Sequence, residues 1–191
     1  MKINVIKIVV ISIFIFIGFT SNAQVYTLDN SQSSLVVYGT SNIHDWEVNA
    51  EDQRGKIEIS QETQFQLSKL QITVKSESLK SGKKGMDKNT FKALKTDKYK
   101  DIEFELNRVE NVTKISENKH QVIIVGDLSV AGTKRQISIA TTIANGSEKI
   151  VLTGSVEVVM TDFNIEPPTA LLGTIKTGDA VTLKFTAVFT K

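Results

Sequence analysis

The sequence predicts an all-β fold, an extended antiparallel barrel of about eight strands interrupted by one short helix. Apolar residues recur with period two along most of the chain, several of these runs exceed ten residues, and one stretch alone switches to helical spacing. Period-two alternation marks strands with one face toward a core and the other toward water. Many antiparallel strands at short spacing leave a sandwich or a closed barrel, and the long runs, residues 119–132 and 179–191, favour tilted barrel strands.

The elements follow in chain order. Lys2 and Lys7 precede residues 8–19, which are apolar apart from Ser12 and Gly18, and the run ends in Thr20-Ser21-Asn22-Ala23. This is the pattern of a secretory signal peptide cut between Ala23 and Gln24, and the apolar run is short of the roughly 20 residues that a membrane span needs. Residues 24–191 then form one domain, expected to be periplasmic or secreted. Cleavage removes two lysines from the 23 Lys+Arg of the full chain and none of its 21 Asp+Glu, so the mature chain is neutral and gives no sign of nucleic-acid binding.

Strand candidates begin at residues 25–28 and continue through Leu35/Val37, residues 43–48, Ile57/Ile59, Ile72/Val74, Ile102/Phe104/Leu106, Val122/Ile124/Leu128/Val130, Ile137/Ile139/Ile143 and Val156/Val158/Met160. The last run is the clearest: Val181, Leu183, Phe185, Ala187 and Phe189 share one face, and only Val188 breaks the alternation. Turn signals separate the runs at Asp29-Asn30, Arg54-Gly55, Ala131-Gly132-Thr133, Asn145-Gly146 and Gly178-Asp179. Asn145-Gly146 carries the strongest expectation of a tight hairpin, because both residues tolerate positive φ. Residues 86–95 instead place Met86, Thr90 and Leu94, with Phe91 beside them, on one helical face.

Sulfur chemistry is excluded. With 191 residues and no Cys, the chain has no disulfide framework, no thiol nucleophile and no lipobox cysteine. No Gly-x-Ser-x-Gly elbow, Walker loop, Gly-x-Gly-x-x-Gly or His-Glu-x-x-His occurs. The two histidines, His44 and His120, are far apart in sequence and make a transition-metal site unexpected; His120 borders a polar turn and is expected to be solvated. Glu103, Glu105 and Glu157 alternate with apolar positions and are expected on outward faces. No enzyme activity, cofactor or metal is therefore expected. Inward positions are mostly Val, Ile, Leu and Phe, so the natural guest of any cavity is a lipid.

Four stretches, in order, resemble the YceI family. They are Ile43-His44-Asp45-Trp46; Ile72 to Leu79 with the following helix, then Lys92-Ala93-Leu94-Lys95-Thr96-Asp97-Lys98-Tyr99 and Ile102-Glu103-Phe104; Gly126-Asp127-Leu128-Ser129-Val130-Ala131-Gly132-Thr133-Lys134-Arg135; and Gly154-Ser155-Val156-Glu157 through Thr161-Asp162-Phe163-Asn164-Ile165. The sequence departs from the family pattern before the helix, which lacks the histidines and arginine common there, and at Lys100, where proline is usual. The resemblance implies an exported, lipocalin-like barrel that binds polyisoprenoid lipids in an internal tunnel.

On this reading the ligand-binding candidates are His44, Trp46, Ile72, Val74, Met86, Phe91, Leu94, Phe104, Ile124, Leu128, Phe163, Leu183 and Phe185. If residues 43–48 form a strand, His44 and Trp46 share a face near the barrel mouth, a hydrogen-bonding group beside an apolar wall. The helix, flanked by Gly82 and Gly85, is the candidate lid. Eight lysines stand between Lys80 and Lys100 against Asp87 and Asp97, a local net of +6, which suits transient contact with an anionic membrane surface or a solvated face. The expected function is to hold a quinone or polyprenyl carrier lipid for transport, storage or sequestration. The alternatives are a structural or stress-protective envelope protein with a filled barrel, or an enzyme acting on an isoprenoid lipid through His44. A homodimer is compatible with all three.

Overall fold

The computed structural model describes residues 24–60 and 64–191; the expected signal peptide lies outside them. Twelve β segments and one helix follow in order: β1 (Gln24–Leu28), β2 (Ser34–Ser41), β3 (Trp46–Ala50), β4 (Gln53–Ser60), β5 (Gln66–Lys75), β6 (Leu79–Lys80), α1 (Lys84–Leu94), β7 (Asp101–Ser116), β8 (Lys119–Val130), β9 (Thr133–Asn145), β10 (Lys149–Val159), β11 (Thr169–Ala170) and β12 (Ile175–Thr190).

These segments make eight staves. β1 and β2 lie end to end along β12, with Leu28 opposite Phe189 and Ser34 opposite Thr186. β3 and β4 in turn lie along β2 and β1, and β5 and β6 along β4 and β3. The other five staves are β7, β8, β9, β10 and β12, all paired antiparallel in chain order, and β12 closes onto the first. β7 pairs with β5 only through Asp101–Glu105, and beyond that it pairs with β8. The three breaks have local causes. Residues 29–33 bulge out and bond back to β12, Asp29 N–H donating to the Val188 carbonyl (2.8 Å) and Val188 N–H to Ser33 Oγ (3.0 Å). This is where the out-of-phase Val188 becomes buried. Glu51 and Asp52 split the second stave, and a 3-10 turn at Ser76–Ser78 splits the third.

Several sequence expectations need correction here, among them the turns expected at Arg54-Gly55 and Gly178-Asp179, which lie inside β4 and β12. Residues 43–48 are not one strand: β3 starts at Trp46, and Ser41 closes a turn before it, its N–H and hydroxyl both donating to the His44 carbonyl (3.0 and 2.7 Å). The tight hairpin is at Ala131-Gly132 (φ 49° and 80°), between Val130 and Thr133, and not at Asn145-Gly146, neither of which has positive φ. Asn145 continues β9 because its N–H donates to the Asn118 carbonyl of the neighbouring hairpin (2.8 Å), and the chain turns over residues 146–148. At position 132 glycine is also needed for space, since a Cβ would lie 2.3 Å from the Tyr99 ring.

α1 ends where Lys95 adopts φ 54°, its N–H donating to the Phe91 and Lys92 carbonyls. It starts before Met86, so Gly85 lies in its first turn and only Gly82 (φ 75°) precedes it.

The barrel interior divides along its axis. At one end Tyr26, Ile57, Val122, Ile143, Ile150 and Phe189 pack together at 3% exposure or less. His120 belongs to this end: it is buried, not solvated, and its ring stacks on Phe65 at 4.4 Å. The even-numbered alternation of Val122 and Ile124 simply extends one step back to it. Burial and the nearby Lys114 ammonium hold its pKa below the ordinary histidine value, and its Nδ1 has no hydrogen-bond partner among the described residues. At the other end Val48, Val74, Leu94, Leu128, Phe163 and Ile165 form a second buried cluster beneath α1. Between the two clusters the barrel is hollow.

Candidate functional site

A cavity of about 1130 Å³ occupies the hollow half, larger than the roughly 300–1,000 Å³ of ordinary small-molecule pockets. Its floor is the upper surface of the filled half, Leu70, Ile124, Ile139, Leu152 and Ala187. Its wall carries Ile72, Phe104, Ile137, Val156, Val158, Leu183 and Phe185, and α1 closes one side with Met86, Asn89, Thr90, Ala93 and Leu94. That helical set repeats every three to four residues, as one face of a helix must.

Three of the four Phe and Trp rings lining the lumen lie against glycines, which keeps them off the barrel axis. On the inward face Trp46 is opposite Gly39, Phe185 opposite Gly154, and Phe104 diagonal to Gly126. A Cβ added at these glycines would fall 2.1, 2.5 and 2.4 Å from the respective ring atoms. Any side chain there would drive an aromatic ring toward the barrel axis. Glycine in a strand interior weakens the strand, and the ring laid over it restores contact.

The structure places every sequence-predicted site residue but one on this wall. Trp46, Ile72, Val74, Met86, Leu94, Phe104, Ile124, Leu128, Phe163, Leu183 and Phe185 line the cavity, and His44 is at its mouth. Phe91 is the exception. It faces away from the lumen, and its ring carries the Lys80 ammonium at 4.5 Å. One helical step from Thr90 is about 100°, enough to turn it off the lining face. His44 is exposed, with Nδ1 on the Asp45 carbonyl at 2.8 Å, and Trp46 Nε1 donates to the Thr40 carbonyl (2.9 Å), so the two do not form the common strand face that the sequence suggested.

Sequence reasoning missed Gln53, a buried polar residue on the wall, whose amide donates to the Ala50 carbonyl (3.3 Å). It also missed Leu171 and Leu172 at the mouth. Gln53 opens β4 at a break in the stave, and no alternation passes through such a break. The Lys-rich segment contributes Lys83 and Lys88 to the mouth, while Asp87 is turned to Ser81, whose hydroxyl (2.6 Å) and N–H (2.8 Å) hold its carboxyl below the usual carboxylate range. Among the described residues, no group of three or more His, Asp or Glu side chains could hold a metal ion.

A family model, the YceI-like domain, matches residues 26–189. The chain belongs to the YceI-like family. Solved structures share the fold of this YceI-like chain at low identity. BcnA of Burkholderia cenocepacia is 17% identical, with 84% of this chain and 98% of that one covered and a TM-score of 0.67. A polyisoprenoid-binding domain from Saccharophagus degradans, implicated in plant cell wall breakdown, is 14% identical over 86% and 97% of the two chains, with a TM-score of 0.66. The Campylobacter jejuni YceI protein is 22% identical over 75% and 84%, with a TM-score of 0.58. No curated protein matches by sequence. Gly126, Asp127 and Leu128, which pointed to the YceI-like family, place Gly126 beneath the Phe104 ring and Leu128 on the cavity wall.

Proposed function

We propose that this protein is an exported, non-enzymatic carrier that holds the prenyl chain of a quinone or polyprenyl lipid in the hollow half of its barrel. The observation that carries the reading is the apolar cavity of about 1130 Å³ kept open by aromatic rings laid on glycines. A cavity this apolar offers water few partners, and each CH₂ of a guest buried there contributes about 0.8 kcal/mol. A long unbranched or prenyl chain is thus held by length and shape, and Gln53, His44, Lys83 and Lys88 are among the polar groups that a head group would meet. The polyisoprenoid-binding domain of similar fold supports this ligand class. A filled structural barrel would have no such space.

The test is organic extraction of the purified mature protein followed by mass spectrometry. The expected result is a prenyl lipid at near one equivalent. Lipid-free protein that also fails to take up a prenylquinone from detergent would overturn the reading.

A further inference from the structure

The mouth of the cavity carries an exposed apolar tip that lipid binding inside the barrel does not require. Leu171 and Leu172 are 72% and 108% exposed, and Ile43 on the neighbouring loop is 57% exposed. Leu171, Leu172 and Gly173 are consecutive left-handed residues (φ 48°, 56° and 88°), a conformation that leucine rarely adopts and that directs both side chains off the turn. The tip is tied to the 43–45 loop through Asn42: its N–H donates to the Lys176 carbonyl (3.1 Å), its side-chain amide to the Thr174 carbonyl (2.9 Å), and its Oδ1 accepts from Lys176 N–H (2.9 Å). Lys83 and Lys88 of the helical segment border the same mouth, within the stretch whose lysines exceed its acids by six.

We propose that this mouth docks on anionic bilayers, with Leu171, Leu172 and Ile43 entering the headgroup–acyl boundary and the lysines of the helical segment meeting lipid phosphates. Charge complementarity commits the surface to a bilayer: an apolar tip that shares its mouth with Lys83 and Lys88 matches an anionic interface. Continuity argues the same way, because the tip residues themselves line the cavity, so a chain leaving the bilayer passes from apolar tip to apolar wall. The exposed Val112 and Ile115 lie outside the cavity lining, on the β7–β8 hairpin, and serve as a control. Docking is measured apart from loading, so it stands or falls separately from the carrier function.

The mature protein is sedimented with vesicles of phosphatidylcholine alone or with phosphatidylglycerol, and Trp46, at the mouth, reports contact through quenching by brominated lipid. Wild type is expected to bind the anionic vesicles and to lose binding in high salt. The double variant Leu171→Ser, Leu172→Ser is expected to bind at least about tenfold more weakly while keeping the wild-type thermal unfolding midpoint, and Ile115→Ser, outside the cavity lining, binds vesicles as wild type and still loads prenylquinone from detergent. No vesicle binding by wild type, equal binding by the double variant, or an equal loss in Ile115→Ser would overturn the proposal. So would a leucine-dependent dimer without vesicle binding, which would assign the tip to a second copy of the chain.

Discussion

Phe185 and Phe189 lie four residues apart on the same face of β12, yet the interior treats them differently. Phe189 is fully buried in the close-packed end, whereas Phe185 is only half-buried, its ring on Gly154 and its other face toward the cavity. β10 repeats the contrast, with Ile150 and Leu152 at 0% and 2% exposure and Val156 and Val158 half-buried further along. Each of these staves therefore contributes to stability at one end and to an open space at the other. Packing density, more than composition, separates the two halves, since both are lined by the same kinds of aliphatic and aromatic residue.

The largest effect that would test this contrast is in the filled half. Phe189→Ala should cost about 3–5 kcal/mol, as deletion of a fully packed ring does, whereas Phe185→Ala should cost less than about 2 kcal/mol. Urea unfolding of the two variants measures both, and equal losses would erase the distinction between the halves. A smaller effect is expected from Gly154→Ala. Its Cβ would displace the Phe185 ring toward the lumen, destabilising the fold by about 1–3 kcal/mol and weakening prenylquinone binding in a fluorescence titration. Undiminished binding would show that the glycines do not keep the lumen open.

The smallest effect concerns pH and belongs to the filled half. His120 has a lowered pKa in the folded state, so below its ordinary value of 6.5 the unfolded chain binds the additional proton. Stability should therefore decline as pH falls through about 6.5 toward the folded pKa and be insensitive to this group above that range. His120→Phe, which keeps a ring against Phe65, should remove that part of the decline in thermal unfolding measured from pH 7.5 to 5. An unchanged pH profile would mean that the burial of His120 carries no such cost.

Much of this architecture was legible because barrel staves must alternate. Val181, Leu183, Phe185, Ala187 and Phe189 were assigned to the inward face from spacing alone, and the helix from the spacing of Met86, Thr90 and Leu94. Alternation tells which way a side chain points but not what it meets. It therefore could not separate Phe185 from Phe189, which depends on Gly154 across the ladder. Asp29-Asn30 marks the break at residues 29–33, whereas the break at 51–52 is hidden from alternation, being fixed by the bonds of Glu51 N–H to the Ser78 carbonyl and of Lys75 N–H to the Asp52 carbonyl. His120 is legible as inward from the register of β8, two residues before Val122, although the neighbouring polar turn suggests a solvated ring. Leu171-Leu172 stands between Pro167-Pro168 and Gly173, and two leucines in such a turn context are the signal for an exposed apolar tip.

The carrier function requires that the hollow half accommodate one prenyl chain. Native mass spectrometry of the mature protein incubated with a defined long-chain prenylquinone, with thermal unfolding of the same sample, tests it most directly. One bound equivalent is predicted, with stabilisation of about 2.7 kcal/mol when free ligand is a hundredfold above Kd. A fully folded protein that binds no quinone and shows no rise in Tm would contradict it.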